Sequence, residues 1–466
     1  MAMLSHRRNR KAGQSDEWEP IILRAILAVK FPVRRFGFQF AFAVSLGALL
    51  ATSAGAQTVP KEQALWMASF EAVWSAVRDH NPDVKLNGLD WRAIHETLLP
   101  RIEHAASIDE VRGILREMIG RLGVSHYAII PADLYAAVGS ESAPAGGKSA
   151  SAGIETVILD GKAVVKSVEP NSAAARAGVQ PGMVVDGIDG TRVAKVLESA
   201  NATGDTESQR IAARSVAQKL DAPGDGAMKL DLVDASGRIK HVELNRTEAA
   251  NDDSGHTVEF GNLPGMHVEF ESRTLPGGAG YIRFNEFLNP VNLMPRFESA
   301  LHGFAHAPGV ILDLRGNPGG IGIMAMGVAG FFIPESGRQL GEMKMRETTI
   351  RFTVFPRAET YAGKVAILLD EGSASTTEIL AQGLQDLKRA RIFGTRSAGA
   401  ALPSDIIRLP DGDGFQYPTA SYTSVNGRVL EGNGVVPDVE VRESREAIAA
   451  GRDAVVEAAR DWIAQR

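Results

Sequence analysis

The sequence predicts a multidomain α/β plus β protein, with an N-terminal helical module, a small β domain and an α/β core closed by a C-terminal helix. Three patterns carry this expectation. Apolar residues recur at helical spacing up to Leu122, and short alternating strands take over from Gly153. Two later stretches, Gly309 to Gly320 (GVILDLRGNPGG) and Leu368 to Glu378 (LLDEGSASTTE), each read as a buried strand breaking into a small-residue turn before a helix.

The chain opens with a segment that reads as a leader. Phe36 to Ala51 is uncharged and apolar behind Arg34-Arg35, and it ends in Ala54-Gly55-Ala56, a small-x-small cleavage pattern. Residues 1–56 are therefore expected to be a signal peptide with Gln57 as the mature N-terminus, which puts the protein in the periplasm. The alternatives are secretion, or an uncleaved anchor, because no charge falls between Phe36 and Lys61. The mixed-charge stretch before Arg34 is long for such a leader, so the start is read as internal, for example at Val33.

The helical module is expected over 57–132. Trp66, Phe70, Val73, Trp74 and Val77 form one stripe; Val111, Leu115, Met118, Ile119 and Leu122 form another behind a Ser107-x-x-Glu110 capping box. Asn81-Pro82-Asp83 punctuates the module, Gly123 is a suitable left-handed cap, and Tyr127–Ile130 reads as a strand. Gly139–Ala152, small and patternless, reads as a linker.

In the β domain, 150–246, strands are expected at 154–159, 163–168 and 183–188, with a small-residue helix at 171–178 and a hairpin pairing 228–233 with 239–244. A helix is placed near Glu207–Leu220. The core, 258–441, alternates strands and helices from Gly280 through Val365–Asp370 and Arg391–Gly394, with a helix from Thr376 to Leu387. One closing helix, 442–466, is expected to bury Ile448, Val455, Ala458, Ala459 and Ile463.

Composition narrows the chemistry. The 466 residues are 44% hydrophobic and 23% charged, ordinary for a folded soluble protein and long enough for two or three domains. A net charge of −6, with no zinc-type or phosphate-loop spacing, argues against nucleic acid, metal and nucleotide cofactors. Zero cysteines removes disulfides and thiol nucleophiles together. Oxygen nucleophiles remain. A helix starting just after Ser375 would aim unpaired N–H groups and a positive dipole end at its hydroxyl, and the Gly316–Gly320 turn leaves backbone N–H groups uncovered.

This pair of motifs resembles the serine-peptidase family of the carboxyl-terminal processing (tail-specific) proteases and the tricorn core protease. The resemblance implies a crotonase/Clp-protease-like α/β core and selects Ser375, ahead of Thr377 and Glu378, as nucleophile. Gly319 or Gly320 and Thr376 would supply oxyanion N–H groups. The tail-specific branch carries a lysine base in a G-x-x-T-x-G-K turn; here Gly394-Thr395-Arg396-Ser397-Ala398-Gly399-Ala400 puts a methyl group in its place. Leu122-Gly123-Val124-Ser125-His126-Tyr127 instead resembles the L-G-D-S-H-T motif of the tricorn-like branch, departing at Val124 and Tyr127, and Glu431-Gly432-Asn433-Gly434-Val435-Val436-Pro437-Asp438 matches its E-x-x-G-x-x-P-D segment. The resemblance implies a tetrad of Ser375, His126 as general base, and Ser125 and Glu431 as a relay. Imidazole, with an ordinary pKa of about 6.5, needs little tuning; a lysine base would have to fall by roughly 3 units. The β domain, through Val168-Glu169-Pro170-Asn171-Ser172-Ala173-Ala174 and Pro181-Gly182-Met183, looks like a PDZ domain. That likeness implies a groove in which a C-terminal peptide adds a strand near Gly153 and Ile154.

The expected protein is thus an exported serine endopeptidase acting on protein or peptide substrates without a cofactor and, once its leader is removed, without a membrane span. Two rivals stand beside it: an inert relative that binds peptides or lipophiles, and a peptidase that recruits a lysine, with Lys388 nearest but on the solvent side of its helix. Ser397, Arg396 and Arg315 have no assignable role in the sequence, and Asp386 reads as a helix-end or surface residue.

Overall fold

The computed structural model describes residues 61–132, 152–201, 212–213, 216–217, 219–220, 227–245, 255–260 and 263–465. The expected leader, the linker up to residue 151 and most of the helix expected at 207–220 lie outside them.

The helical module is formed by α1 (Lys61–His80), α2 (Trp91–Glu103) and α3 (Ile108–Gly120), followed by the short strand β1 (Ala128–Ile130). Asp90 and Ser107 cap the second and third helices by accepting from Ala93 and Glu110 N–H groups. Phe70, Val73, Val77, Val111, Leu115, Met118 and Leu122 are buried in one core, with Trp66 and Trp74 at its margin. Gly123 is left-handed at φ 65°, as its cap position requires.

The β domain contains β2 (Ile154–Leu159), β3 (Lys162–Val168), α4 (Ala173–Arg176), β4 (Val184–Ile188), β5 (Thr191–Arg192), α5 (Val193–Asn201), β6 (Ala227–Val233) and β7 (Ile239–Asn245). Its sheet runs β2-β3-β4-β6-β7 with β5 beside β4, so β2 is an edge. Helix α5 was not anticipated. Ala212, Val216 and Leu220 are buried in this domain's core at the spacing of a helix face.

The α/β core comprises β8 (Gly255–Phe260), β9 (Leu263–Thr274), β10 (Gly280–Phe284), α6 (Pro290–Gly303), β11 (Gly309–Asp313), α7 (Ile323–Ala329), β12 (Gln339–Lys344), β13 (Thr349–Thr353), β14 (Lys364–Leu369), α8 (Thr376–Asp386), β15 (Arg391–Gly394), β16 (Ser404–Arg408), β17 (Gly414–Pro418), β18 (Ser421–Ser424) and β19 (Val439–Glu440). The main sheet runs β19-β15-β14-β11-β10-β9-β8, parallel from β19 to β10 and antiparallel beyond. Every residue of β11 and all but the first of β14 are buried, which is why both read as continuous apolar runs. Because the two strands are parallel neighbours, their C-terminal turns emerge side by side.

Two small sheets escaped the sequence reading, β13-β12-β18 and β1-β17-β16. The second pairs Ala128–Ile130 with 414–416, stitching the chain just after His126 to the C-terminal part of the core. Arg112 reinforces this seam by donating twice, at 2.8 Å each, to the buried carboxylate of Asp413, which also accepts the Ala132 N–H.

The single closing helix is corrected to two, α9 (Arg445–Ala449) and α10 (Ala454–Ala464), separated by left-handed Gly451 and a new N-cap at Asp453. The break has a packing reason. Ile448 belongs to a cluster with Val164 and Val184 of the β domain, whereas Val455, Ala459 and Ile463 cover one face of the main sheet. Ala458 is only half-buried. Arg315 is also corrected: it is buried among Asp313, Glu443 and Asp453 and fastens the end of β11 to this terminal segment.

Candidate active site

Residues that follow β11 and β14 together form one wall of the site. Gly316 N–H donates to Asp370 Oδ1 at 2.7 Å, and Ala374 N–H donates to Asn317 O at 3.0 Å. Asn317 is fully buried; its amide donates to Phe284 O at 2.9 Å, while its Oδ1 accepts Gly319 N–H at 2.9 Å and the Thr377 hydroxyl at 3.0 Å. These bonds lock the glycine turn against the start of α8. Contact is closest at Gly319: a Cβ there would lie 2.8 Å from Ser375 Cβ, Ala374 O and Thr376 N.

Ser375 is the N-cap of α8, with φ 54° and ψ −118°. A non-glycine residue at positive φ is strained by roughly 1–3 kcal/mol and persists only where its surroundings fix it. Thr376, the first residue of α8, has no intrahelical acceptor for its N–H. Its hydroxyl donates to Gly320 O at 2.8 Å. The carbonyls of Gly319 and Gly320 are thus engaged by Phe287 N–H and the Thr376 hydroxyl, and Gly319 N–H by Asn317. Of the three expected oxyanion donors, Gly320 and Thr376 make no backbone N–H hydrogen bond among the described residues.

Ser125, His126 and Glu431 meet at the other wall. Glu431 Oε1 accepts Ser125 N–H at 2.6 Å; Oε2 accepts the Ser125 hydroxyl at 2.9 Å and Ala401 N–H at 3.1 Å. Ser125 Oγ also lies 2.7 Å from His126 Nδ1. The single hydroxyl proton is directed to the carboxylate, so Nδ1 carries a proton that it donates to Ser125 Oγ, and Nε2 carries the lone pair. His126 itself, between α3 and β1, is left-handed at φ 64°.

Residues 397–401 join the two walls. Ser375 N–H donates to Ala400 O at 2.8 Å, and the next residue supplies the Ala401 N–H held by Glu431. Ser397, without a role in the sequence reading, is buried and donates to Glu378 Oε1 at 2.5 Å while accepting Val435 N–H at 2.6 Å. Asp386 is the last residue of α8, as expected for a helix-end residue, and accepts the Ser424 hydroxyl at 2.6 Å. Lys388 is exposed, as expected. The missed residue of greatest consequence is Glu378, fully buried three positions beyond Ser375. A carboxylate directly before the apolar pair Ile379-Leu380 in the first turn of the helix was the available signal.

Residues 278–441 match the model of peptidase family S41, and residues 62–120 match the tricorn protease C1 domain. The chain thus carries a peptidase family S41 domain. The chain is 26% identical over 442 residues to a carboxyl-terminal-processing protease of Synechocystis, covering 92% of this chain and 93% of that relative. It is 25% identical over 413 residues to putative tricorn protease homolog 2 of Streptomyces coelicolor, covering 84% of this chain but only 32% of that longer relative. Among solved structures, the photosystem II D1 C-terminal processing protease aligns with TM-score 0.53 at 23% identity, over 85% of this chain and 99% of its own. Mature CPAF aligns with TM-score 0.58 at 13% identity, over 86% and 96%. At these identities the structural likeness is one of fold. No helix among the described residues is long and apolar enough to cross a membrane.

Proposed function

We propose that the protein is an exported serine endopeptidase that cleaves protein or peptide substrates through an acyl-enzyme on Ser375, with His126 as general base and then acid. The observation that carries this reading is the hydrogen-bonded run from Glu431 through Ser125 to His126 Nδ1, tied by Ala401 and Ala400 to the backbone of the serine.

Chemistry follows from the tautomer. With Nδ1–H donated to Ser125, Nε2 takes the Ser375 proton as the hydroxyl attacks the scissile carbonyl. The imidazolium so formed is stabilised through Ser125 by a carboxylate that three donors keep in place. Gly320 and Thr376 N–H groups receive the oxyanion, at the positive end of α8. His126 then returns its proton to the leaving amine, and water repeats the cycle. No other group need change protonation.

The β domain fits a PDZ-like module. An edge strand, β2, with helical residues packed beside it is the arrangement to which an extended peptide adds a strand. Gly153 and Ile154 are both buried here, and Ala152 N–H donates to Leu220 O at 3.4 Å, so a peptide terminus would displace that contact.

A fluorophosphonate probe tests the proposal. Labelling of the wild-type protein, lost in Ser375→Ala and rising with an apparent pKa of about 6 to 7, supports it. Folded protein that never labels would sink it and leave an inert peptide- or lipophile-binding relative.

A further inference from the structure

Glu378 is a carboxylate sealed from water, 0% exposed at the third position of α8. A buried charge is tolerated only when donors replace its hydration, and four converge here. Oε1 accepts the Ser397 hydroxyl at 2.5 Å and Gly399 N–H at 2.8 Å; Oε2 accepts Ser375 N–H and Ala400 N–H at 3.0 Å each. Two segments supply all four. One is the strained turn carrying the proposed nucleophile, and the other is the 397–401 stretch whose next N–H, that of Ala401, holds Glu431. Ser375 N–H is shared between Glu378 and Ala400 O, which closes a small ring of bonds around the turn.

We propose that Glu378 is a positioning residue for the acyl-transfer site, its carboxylate clamping the Ser375 turn to the Gly399–Ala400 backbone and thereby holding the nucleophile and the Glu431–Ser125–His126 relay in one frame. This rests on the reading of Ser375 as nucleophile. The contacts suit either protonation state: a proton on Oε1 can be donated to Ser397 Oγ, which keeps a second lone pair for Val435 N–H, and the three backbone N–H groups keep their acceptors. Burial pushes the Glu378 carboxyl up to about 6, against the pull of its four donors. The groups facing it, from the cap of α8 and from residues 397–400, are those neutral donors. Beyond them stand Glu431, reached through Ala401, and His126, reached through Ser125. Because the buried carboxyl sits above its ordinary 4.5, acid favours the closed clamp and ionisation favours its opening as pH rises through about 6.

The test measures fluorophosphonate labelling rates and amide hydrogen exchange of the peptide spanning 397–401, corrected for intrinsic exchange, between about pH 5 and pH 8. It compares wild type, Glu378→Gln and Ser397→Ala. The wild-type 397–401 amides should lose protection as pH rises through about 6. Folded Glu378→Gln should label on the order of 10-fold more slowly or worse, with reduced protection that no longer changes with pH. A Glu378→Gln protein with the wild-type rate and the wild-type protection profile overturns the proposal. If that variant fails to fold, Ser397→Ala decides: with one donor removed the step in protection should move to higher pH, and an unmoved step overturns the clamp. Wild-type protein that does not label at all would refute the peptidase reading instead. Hydrogen exchange then judges the clamp alone, and pH-independent protection at 397–401 would overturn it.

Discussion

Gly319→Ala should nearly abolish Ser375 reactivity while leaving a folded protein. The backbone there has φ 99°, and an added Cβ would lie 2.8 Å from Ala374 O, Ser375 Cβ and Thr376 N. Two of those neighbours are backbone atoms, pinned by the Ala374 N–H to Asn317 O bond and by the Thr376 hydroxyl to Gly320 O bond. Relief must come from moving the glycine turn away from α8. Overpacking of this kind costs about 1–3 kcal/mol, and the left-handed conformation adds about 1–2 kcal/mol. A displacement of about 1 Å at reacting groups lowers rates by about 100-fold. Gly316→Ala is the control, because Gly316 has φ 71° but nothing within 4 Å of its Cβ position. It carries the conformational strain without the collision. Second-order labelling by a fluorophosphonate, with thermal melting in parallel, should show both variants less stable than wild type and only Gly319→Ala slowed by about 100-fold or more. Equal labelling of Gly319→Ala and wild type would refute the argument that the glycine turn closes on Ser375.

His126→Ala should lower kcat by several orders of magnitude with little change in KM, whereas a lysine-based mechanism predicts that activity survives; steady-state kinetics on a peptide ester separates them. Asp413→Asn removes the buried partner of Arg112, whose guanidinium is held above its ordinary pKa by that carboxylate. Denaturant titration should show a loss of about 3–5 kcal/mol. Glu378 has a folded pKa of about 6 against an ordinary 4.5, so the folded state holds a proton that the unfolded chain has released. Its contribution to stability therefore falls as pH rises from 4.5 through 6, by roughly 2 kcal/mol, and unfolding midpoints at pH 5 and pH 7 should show that slope in wild type but not in Glu378→Gln.

Much of the core was legible because β11 and β14 are buried on both faces, which leaves apolar runs that only a sheet interior explains. The glycine turn, the serine cap and the helix after it were readable for the same local reasons. The sheets β13-β12-β18 and β1-β17-β16 were not, since their strands are short and half-exposed and their pairings are set by tertiary contact. The closing helix was misread because Ile448 and Val455 fit one periodicity while packing on different domains. Arg315 and Ser397 looked idle because nothing in a sequence announces a partner 138 or 38 residues away. Glu378 was used only to locate the serine.

Position 400 shows how the site works without a basic side chain there. Ala400 is 4% exposed, and its backbone does two jobs: its C=O accepts Ser375 N–H and its N–H donates to Glu378. Ala401 then donates to Glu431. None of these bonds involves a side chain of residues 400 or 401, so a methyl group at 400 leaves the frame whole. What the absent lysine would supply is a proton acceptor, and in the proposed mechanism that role falls to the imidazole of His126, a group whose ordinary pKa of about 6.5 asks for less electrostatic work. Its requirement is a fixed tautomer, met by Ser125 and Glu431 across a strand seam that runs through β1 and β17. The proposed base thus depends on chain pairing more than 280 residues apart, between Ile129 and Phe415. Weakening that seam at Asp413 should therefore impair His126 before it disturbs the buried Ser375 turn.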